Sequence, residues 1–255
     1  MKIRIPTAVA LVASLNCATA EQAPVEQIVI DGMTEQVLLD ACAYLRSAGR
    51  FSAQFDTSFD DVLLDGTTVQ YNRSSLVTLV RPDRLRIDVE GDRGERNIYY
   101  DGKSVAVYRP ESGLFAVAEA PDKLDAMLDL AAEKGISVPL DDLLSAQPCA
   151  ALGENLRTGT YAGLHYLDGD WYHHLLLETD ALDMQLWVAP GEAPWFRKVV
   201  MSYREKPGAP RHTTLISDWD FDPQTDDAMF QFDPPEGARR VAFQVHSAAQ
   251  GEAQQ

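Results

Sequence analysis

Basic residues are scarce in this chain: 22 Lys and Arg stand against 39 Asp and Glu, for a formal net charge of −17. Binding to a phosphate backbone needs clustered cations, so nucleic acid is excluded as a partner. Stable adsorption to anionic lipid surfaces is disfavoured for the same reason. Long apolar runs are also lacking. No stretch after the first twenty residues approaches the roughly 20 apolar positions of a membrane helix, so no transmembrane segment is expected. Cysteine is limited to Cys17, Cys42 and Cys149, with no CxxC among them, which removes thioredoxin-like exchange. Catalytic signatures are missing too. There is no G-x-S-x-G, phosphate-binding loop or dinucleotide fingerprint, and the many carboxylates show no spacing that marks an acid/base pair. The expectation is a protein that is not an enzyme and takes no cofactor.

Metal-ligand spacing is equally absent. His173 and His174 are neighbours on a predicted strand and point to opposite faces, so they do not share one ion. A zinc set of His165, Asp168 and His173 lacks HExxH or any recognised spacing, and surface histidines are expected instead. Asp218, Asp220, Asp222, Asp226 and Asp227 hint at calcium. An EF-hand loop would need Gly and Glu where Pro223 and Met229 stand, so an acidic strand end is expected and no metal site.

What is present begins with an export signal. Lys2 and Arg4 precede an apolar run from Ile5 to Leu15 and a small-x-small end at Ala18-Thr19-Ala20. This is the pattern of a leader cleaved after Ala20, making residues 1–20 a signal peptide and Glu21 the mature start. Ser14-Leu15-Asn16 before Cys17 lacks the pattern of a lipidation site. Cys42 and Cys149 then remain in an oxidising compartment, where a disulfide is one reading and two buried thiols the other.

Residues 21–243 read as one domain. Val37, Ala41, Tyr44, Leu45 and Ala48 make one stripe of a helix over Met33 to Ala48. The period then drops to two. Strands are predicted at Arg50–Val62, Leu76–Val80, Arg84–Glu90, Ile98–Tyr100, Val105–Tyr108 and Leu114–Ala118, with a two-residue hairpin loop at Asp101-Gly102. Arg84 to Glu90 alternates faultlessly between charged and aliphatic residues, so one side faces water and the other an apolar interior. Leu124, Met127, Leu128 and Ala131 return to helical spacing, and a second short helix is predicted over Leu140 to Ala146. Strands resume from about Thr160 through Phe221. Each helix must lay its apolar stripe on something, and the concave side of a curved sheet is the expected place. Residues 244–255 are polar and small, a tail expected to fray.

The run Met184-Gln185-Leu186-Trp187-Val188, the loop closing at Pro194, Arg197-Lys198-Val199-Val200, Ser217-Asp218-Trp219 and Asp233-Pro234-Pro235-Glu236-Gly237-Ala238 with Val241-Ala242-Phe243 resembles the DUF2092 family of predicted periplasmic proteins. That family is similar to the LolA-like superfamily. The resemblance implies a mainly β, α+β fold: a curved antiparallel half-barrel with an N-terminal helix and a helical insertion across an apolar concave face. It also implies a periplasmic protein that holds or senses lipids or lipidated proteins. The chain departs from the branch at Tyr172-His173-His174-Leu175, where a cysteine often precedes a single histidine.

The candidate ligand-binding residues are Phe55, Leu85, Ile87, Val89, Met127, Leu128, Leu175, Leu177, Leu186, Val188, Val199 and Met201. They would line a cleft beneath Leu124, Met127 and Leu128 that accepts a lipid, an acyl chain or a lipidated partner. Burying about 14 methylenes at ~0.8 kcal/mol each gives roughly 11 kcal/mol gross, which a bilayer offers equally, so a carrier can work near balance. The alternative is an envelope interaction or sensor protein with a closed core that binds another protein through exposed loops.

Overall fold

The structure is a computed structural model and describes residues 28–243. The leader with its cleavage after Ala20, Cys17 and the tail 244–255 lie outside the described residues. In chain order the elements are β1 (Val29–Ile30), α1 (Gly32–Ser47), β2 (Arg50–Val62), β3 (Thr68–Val80), β4 (Arg84–Gly91), β5 (Arg96–Tyr100), β6 (Ser104–Arg109), β7 (Leu114–Glu119), α2 (Leu124–Glu133), α3 (Asp141–Leu144), α4 (Ala150–Asn155), β8 (Leu156–Leu167), β9 (Asp170–Thr179), β10 (Leu182–Val188), β11 (Phe196–Tyr203), β12 (Arg211–Asp220) and β13 (Arg239–Arg240).

All strands join one open sheet in the order β1-β8-β9-β10-β11-β12-β2-β3-β4-β5-β6-β7-β13. Two meanders, β2 to β7 and β8 to β12, fuse where β12 runs antiparallel to β2, with Ile216 opposite Phe55 and Thr214 opposite Thr57. Only the short edge strands β1 and β13 pair in parallel, with β8 and β7. Twisted sheets of more than about ten strands curl, and this one bends around its inner face.

That inner face follows from alternation. Phe51, Ala53 and Phe55 on β2, Val77 and Leu79 on β3, Leu85 and Ile87 on β4, Ile98 and Tyr100 on β5 and Val105 on β6 are all fully buried. The two longer helices cover it. Val37, Leu38, Ala41 and Leu45 of α1 and Leu124, Met127, Leu128 and Ala131 of α2 belong to the same buried cluster. The start of α1 is fixed by Asp31, whose carboxylate accepts the backbone N–H of Thr34 at 2.7 Å and that of Tyr161 at 2.5 Å. One side chain thus caps the helix and ties it to β8. The convex side is crossed by the C-terminal segment, where the Phe232 ring sits 5.2–5.5 Å from those of Tyr99, Tyr108 and Phe115.

Three predicted elements differ from the fold. The strand expected at Leu76–Val80 begins at Thr68 and pairs with β2 along its whole length. Its first half carries no aliphatic alternation, because Arg73 and Ser75 occupy the inward positions there. The hairpin loop between β5 and β6 is Gly102-Lys103, one residue later than expected. The Asp101 carboxylate accepts the backbone N–H groups of Lys103 and Ser104 at 3.0 and 2.8 Å and so closes the turn from outside it. The helix expected over Leu140–Ala146 shrinks to the single turn α3, and α4 follows. Leu140 and Cys149, immediately before α3 and α4, have φ of 47° and 67°, a left-handed conformation that breaks helical continuity.

Candidate functional site

The cavity that could hold a ligand lies beside the helix-covered core. It measures about 270 Å³ and sits between the strands β10, β11 and β12 and the segment from Ser137 to Leu152. Its floor is Met184 and Leu186 from β10 and Phe196, Val199 and Met201 from β11; its roof is Val138, Pro139, Leu140, Leu143 and Leu152. Alternation explains the floor: Met184 opposes Met201 and Leu186 opposes Val199, so four apolar side chains rise on one face of two adjacent strands.

The roof is anchored at three points. Arg81 donates to the carbonyls of Leu144 and Ser145 at 2.8 and 2.6 Å and to that of Ala48 at 3.2 Å. The structure also joins Cys42 of α1 to Cys149 by a disulfide, with Cα atoms 6.0 Å apart. Ala146 adds a backbone N–H to Asp125 of α2 at 2.7 Å.

One end of the cavity is polar. Thr57 and Thr214 share a buried hydroxyl hydrogen bond of 2.9 Å, and Arg73, Tyr203 and His212 stand beside them. The His212 ring meets those of Tyr203 and Phe59 edge-on, at 5.2 and 5.7 Å. Burial first, then repulsion from Arg73 and Lys206, pulls the His212 pKa below its ordinary value. Burial also lowers the Arg73 guanidinium and raises the Tyr203 phenol.

Of the twelve residues proposed to contact ligand, Leu186, Val199 and Met201 line this cavity. Val89 borders a neighbouring, more polar hollow. Phe55, Leu85, Ile87, Met127, Leu128, Leu175, Leu177 and Val188 are buried in the core cluster with α1 and α2. The cleft expected beneath Leu124, Met127 and Leu128 is displaced, because those side chains themselves fill the space under α2. The sequence pattern foresaw a helical roof over Leu140–Ala146 but not its contribution to the lining, and it did not reveal the cations. A usable signal was present: Arg73 is two residues before Ser75 on β3, Arg96 two before Ile98 on β5 and Arg109 two after Val107 on β6. Each is a charge at the parity of an apolar file.

One histidine departs from expectation, while His165 is exposed as expected. His174 is buried rather than on the surface. It pairs with His165 through their Nδ1 atoms at 2.9 Å, contacts Gln185 Oε1 through Nε2 at 3.2 Å and stacks on Trp187 at 4.0 Å. His173 points to the other face and meets the Tyr161 hydroxyl at 2.9 Å. The zinc set considered above is therefore divided between the two faces, and among the described residues no group of three or more His, Cys, Asp or Glu is placed to hold a metal. The C-terminal acidic run is engaged in ion pairs and turns: Asp222 with Arg50, Asp227 with Arg84, and Asp226 capping the turn at Met229.

Burial, then His165 and Lys198, lowers the His174 pKa. A histidine lowered in the folded state takes up its proton later than in the unfolded chain, so its contribution is complete above about pH 6.5 and is lost as pH falls through the folded value. His212 has the same sign. Thermal melts are expected to show a midpoint that drops between pH 7.5 and 5, with a shallower drop in His174→Gln and shallower again when His212→Gln is added. A wild-type midpoint that holds or rises over this range would contradict that assignment.

A family model described as "Predicted periplasmic protein (DUF2092)" matches residues 34–244. No curated protein matches the chain. Among solved structures, an uncharacterized conserved protein from Thermus thermophilus is similar at 9% identity and a TM-score of 0.48, over 82% of this chain and 99% of that one. The lipoprotein LppX of Mycobacterium tuberculosis is similar at 11% identity and 0.43, over 77% and 100%. A LolA superfamily protein from Nitrosomonas europaea is similar at 11% identity and 0.38, over 78% and 97%. At such values the likenesses say nothing of ligands or of residue roles.

Proposed function

The chain belongs to the DUF2092 family of predicted periplasmic proteins, and from that membership we propose that it is a non-enzymatic envelope protein that holds an apolar chain of a lipid or lipidated partner in the cavity under the Ser137–Leu152 roof. The single observation that carries the proposal is the cavity itself: about 270 Å³ with predominantly aliphatic and aromatic walls, beside a core packed under α1 and α2. Ligand pockets usually measure ~300–1,000 Å³, so this one suits a single alkyl chain rather than several. Three of its walls, Met184, Met201 and Leu143, are unbranched or γ-branched and adapt to an occupant. No helix among the described residues is long and apolar enough to cross a membrane.

The test is uptake of a fluorescent fatty-acid analogue by the purified chain, compared with Met201→Trp. The added indole fills the cavity and is expected to weaken uptake at least ten-fold while the melting temperature shifts by only a few degrees. Equal uptake by both proteins would overturn the proposal.

A second reading, partner binding through exposed loops, has one observation in its favour. The β8–β9 hairpin leaves Leu164, Tyr166 and Trp171 at 50%, 64% and 56% exposure, with the two aromatic rings 5.7 Å apart. Capture of an envelope protein that is lost in Trp171→Ser but retained in Met201→Trp would support it.

A further inference from the structure

Three guanidinium groups project from the inner face of a chain whose net charge is −17. Arg73 lies at the end of the file Leu79, Val77, Ser75 on β3, Arg96 at the end of the file Tyr100, Ile98 on β5, and Arg109 at the end of the file Val105, Val107 on β6. A hollow of about 520 Å³ is bordered by all three, together with Arg93, Ser137 and His212. It shares Arg73, Ser137 and His212 with the apolar cavity, so the two spaces adjoin. A further hollow of about 410 Å³ shares Arg96 and Arg109, adds Lys134 and has no carboxylate in its lining.

These cations are not neutralised from within. Eight other Arg–Asp pairs form among the described residues, and none includes Arg73, Arg96 or Arg109. The Nε atoms of Arg73 and Arg96 are buried without a hydrogen-bond partner. Arg96 donates once, to the carbonyl of Ser137 at 3.0 Å, and Arg73 stands 5.4 Å above the Phe59 ring. Carboxylates do border the 520 Å³ hollow: Asp60, Asp61 and Glu95. Asp61 is held by Arg93, and Asp60 accepts the backbone N–H of Arg211 at 3.0 Å. Asp141 and Asp142 belong to α3, at the apolar cavity. Burial, then repulsion from Arg73 and Arg109, brings Arg96 down to about 10. Arg73 and Arg96 are partly dehydrated with donors unused and Arg109 stands exposed beside them, and an anion with two or three acceptor oxygens satisfies such groups by charge-assisted, bidentate bonds.

We propose that Arg73, Arg96 and Arg109 form the head-group subsite of this hollow, and that the ligand is a single-chain amphiphile with a phosphate or carboxylate head. The chain enters the apolar cavity and the anionic head rests on the guanidinium groups where the two spaces meet. This rests on the cavity reading above and names the ligand class for it.

The test compares tetradecyl phosphate, tetradecanoate and tetradecanol, which share one chain and differ in the head, with inorganic phosphate as a fourth probe. Binding is measured by displacement of the fluorescent fatty acid and by calorimetry. Wild type is expected to bind the two anions at least ten-fold tighter than the alcohol, with the preference shrinking as salt is raised. The better of the two anions identifies the head. In Arg96→Gln/Arg109→Gln the anions are expected to fall to parity with the alcohol, while Arg96→Lys keeps most of the preference. A melting temperature at or above wild type for the double variant shows that it folds. Equal wild-type affinity for anions and alcohol, or an undiminished preference in the folded double variant, overturns the head-group assignment and leaves the cavity standing. Binding of tetradecyl phosphate that Met201→Trp does not weaken, or that is no tighter than binding of inorganic phosphate, keeps the head-group site and overturns the cavity. If no probe binds, both fall.

Discussion

Replacing Cys42 and Cys149 by serine is expected to lower the stability of the folded chain by about 4–5 kcal/mol. The bridge spans 107 residues, and loop entropy withheld from the unfolded chain grows with the logarithm of that span, reaching ~4.7 kcal/mol for a loop near 100 residues. With a urea slope of roughly 2–3 kcal/mol/M, the midpoint should fall by about 2 M. A functional consequence comes with it. Cys149 precedes α4 and borders the cavity, so losing the bond leaves the roof held mainly by Arg81. The folded variant is expected to take up the fluorescent fatty acid with faster exchange. A midpoint change below about 0.5 M would mean that the crosslink adds little beyond packing already present around α1.

Phe55→Ala is expected to cost about 3–5 kcal/mol, the usual range for removing a fully buried ring. Phe55 is fully buried on β2, opposite Ile216 and Ser75 and with its ring 6.4 Å from that of Trp219. It stands where the two meanders fuse, so the void would open at the centre of the sheet rather than at an edge. The comparison with Met201→Trp is informative because both residues belong to the same predicted ligand face. Phe55→Ala should lose stability with affinity for the fatty acid unchanged, and Met201→Trp should do the reverse. Urea titration and ligand binding on the same samples separate the two. If Phe55→Ala stays within about 1 kcal/mol of wild type and binds more ligand, the core at Phe55 is itself accessible to ligand.

Much of the sheet was legible because alternation is a local property. The six strands from Arg50 to Ala118 and the helices beginning near Met33 and Leu124 all follow from spacing within a few residues. The first half of β3 was not legible: Gln70, Asn72 and Ser74 alternate with Tyr71, Arg73 and Ser75, and neither set is aliphatic. It is a strand because thirteen residues of β2 pair with it. His174 was likewise unreadable as a buried residue, since its burial is made by Trp187 and Gln185 on β10 and by His165 on β8.

The sequence by itself determined the sheet class, the inward and outward side of most strands, the helical stripes and the absence of any recognised catalytic spacing, because each depends on neighbours no more than about four positions apart. Only the tertiary structure decided which inward residues close against each other and which are left facing space. That depends on how the helices and the roof fit the curve of the sheet: α1 and α2 fill one part of it, and the roof tied by Arg81 and the disulfide stands off the other. The convergence of Arg73, Arg96 and Arg109 on one hollow is of the same kind, since β3, β4, β5 and β6 must be laid side by side before the charges on β3, β5 and β6 meet.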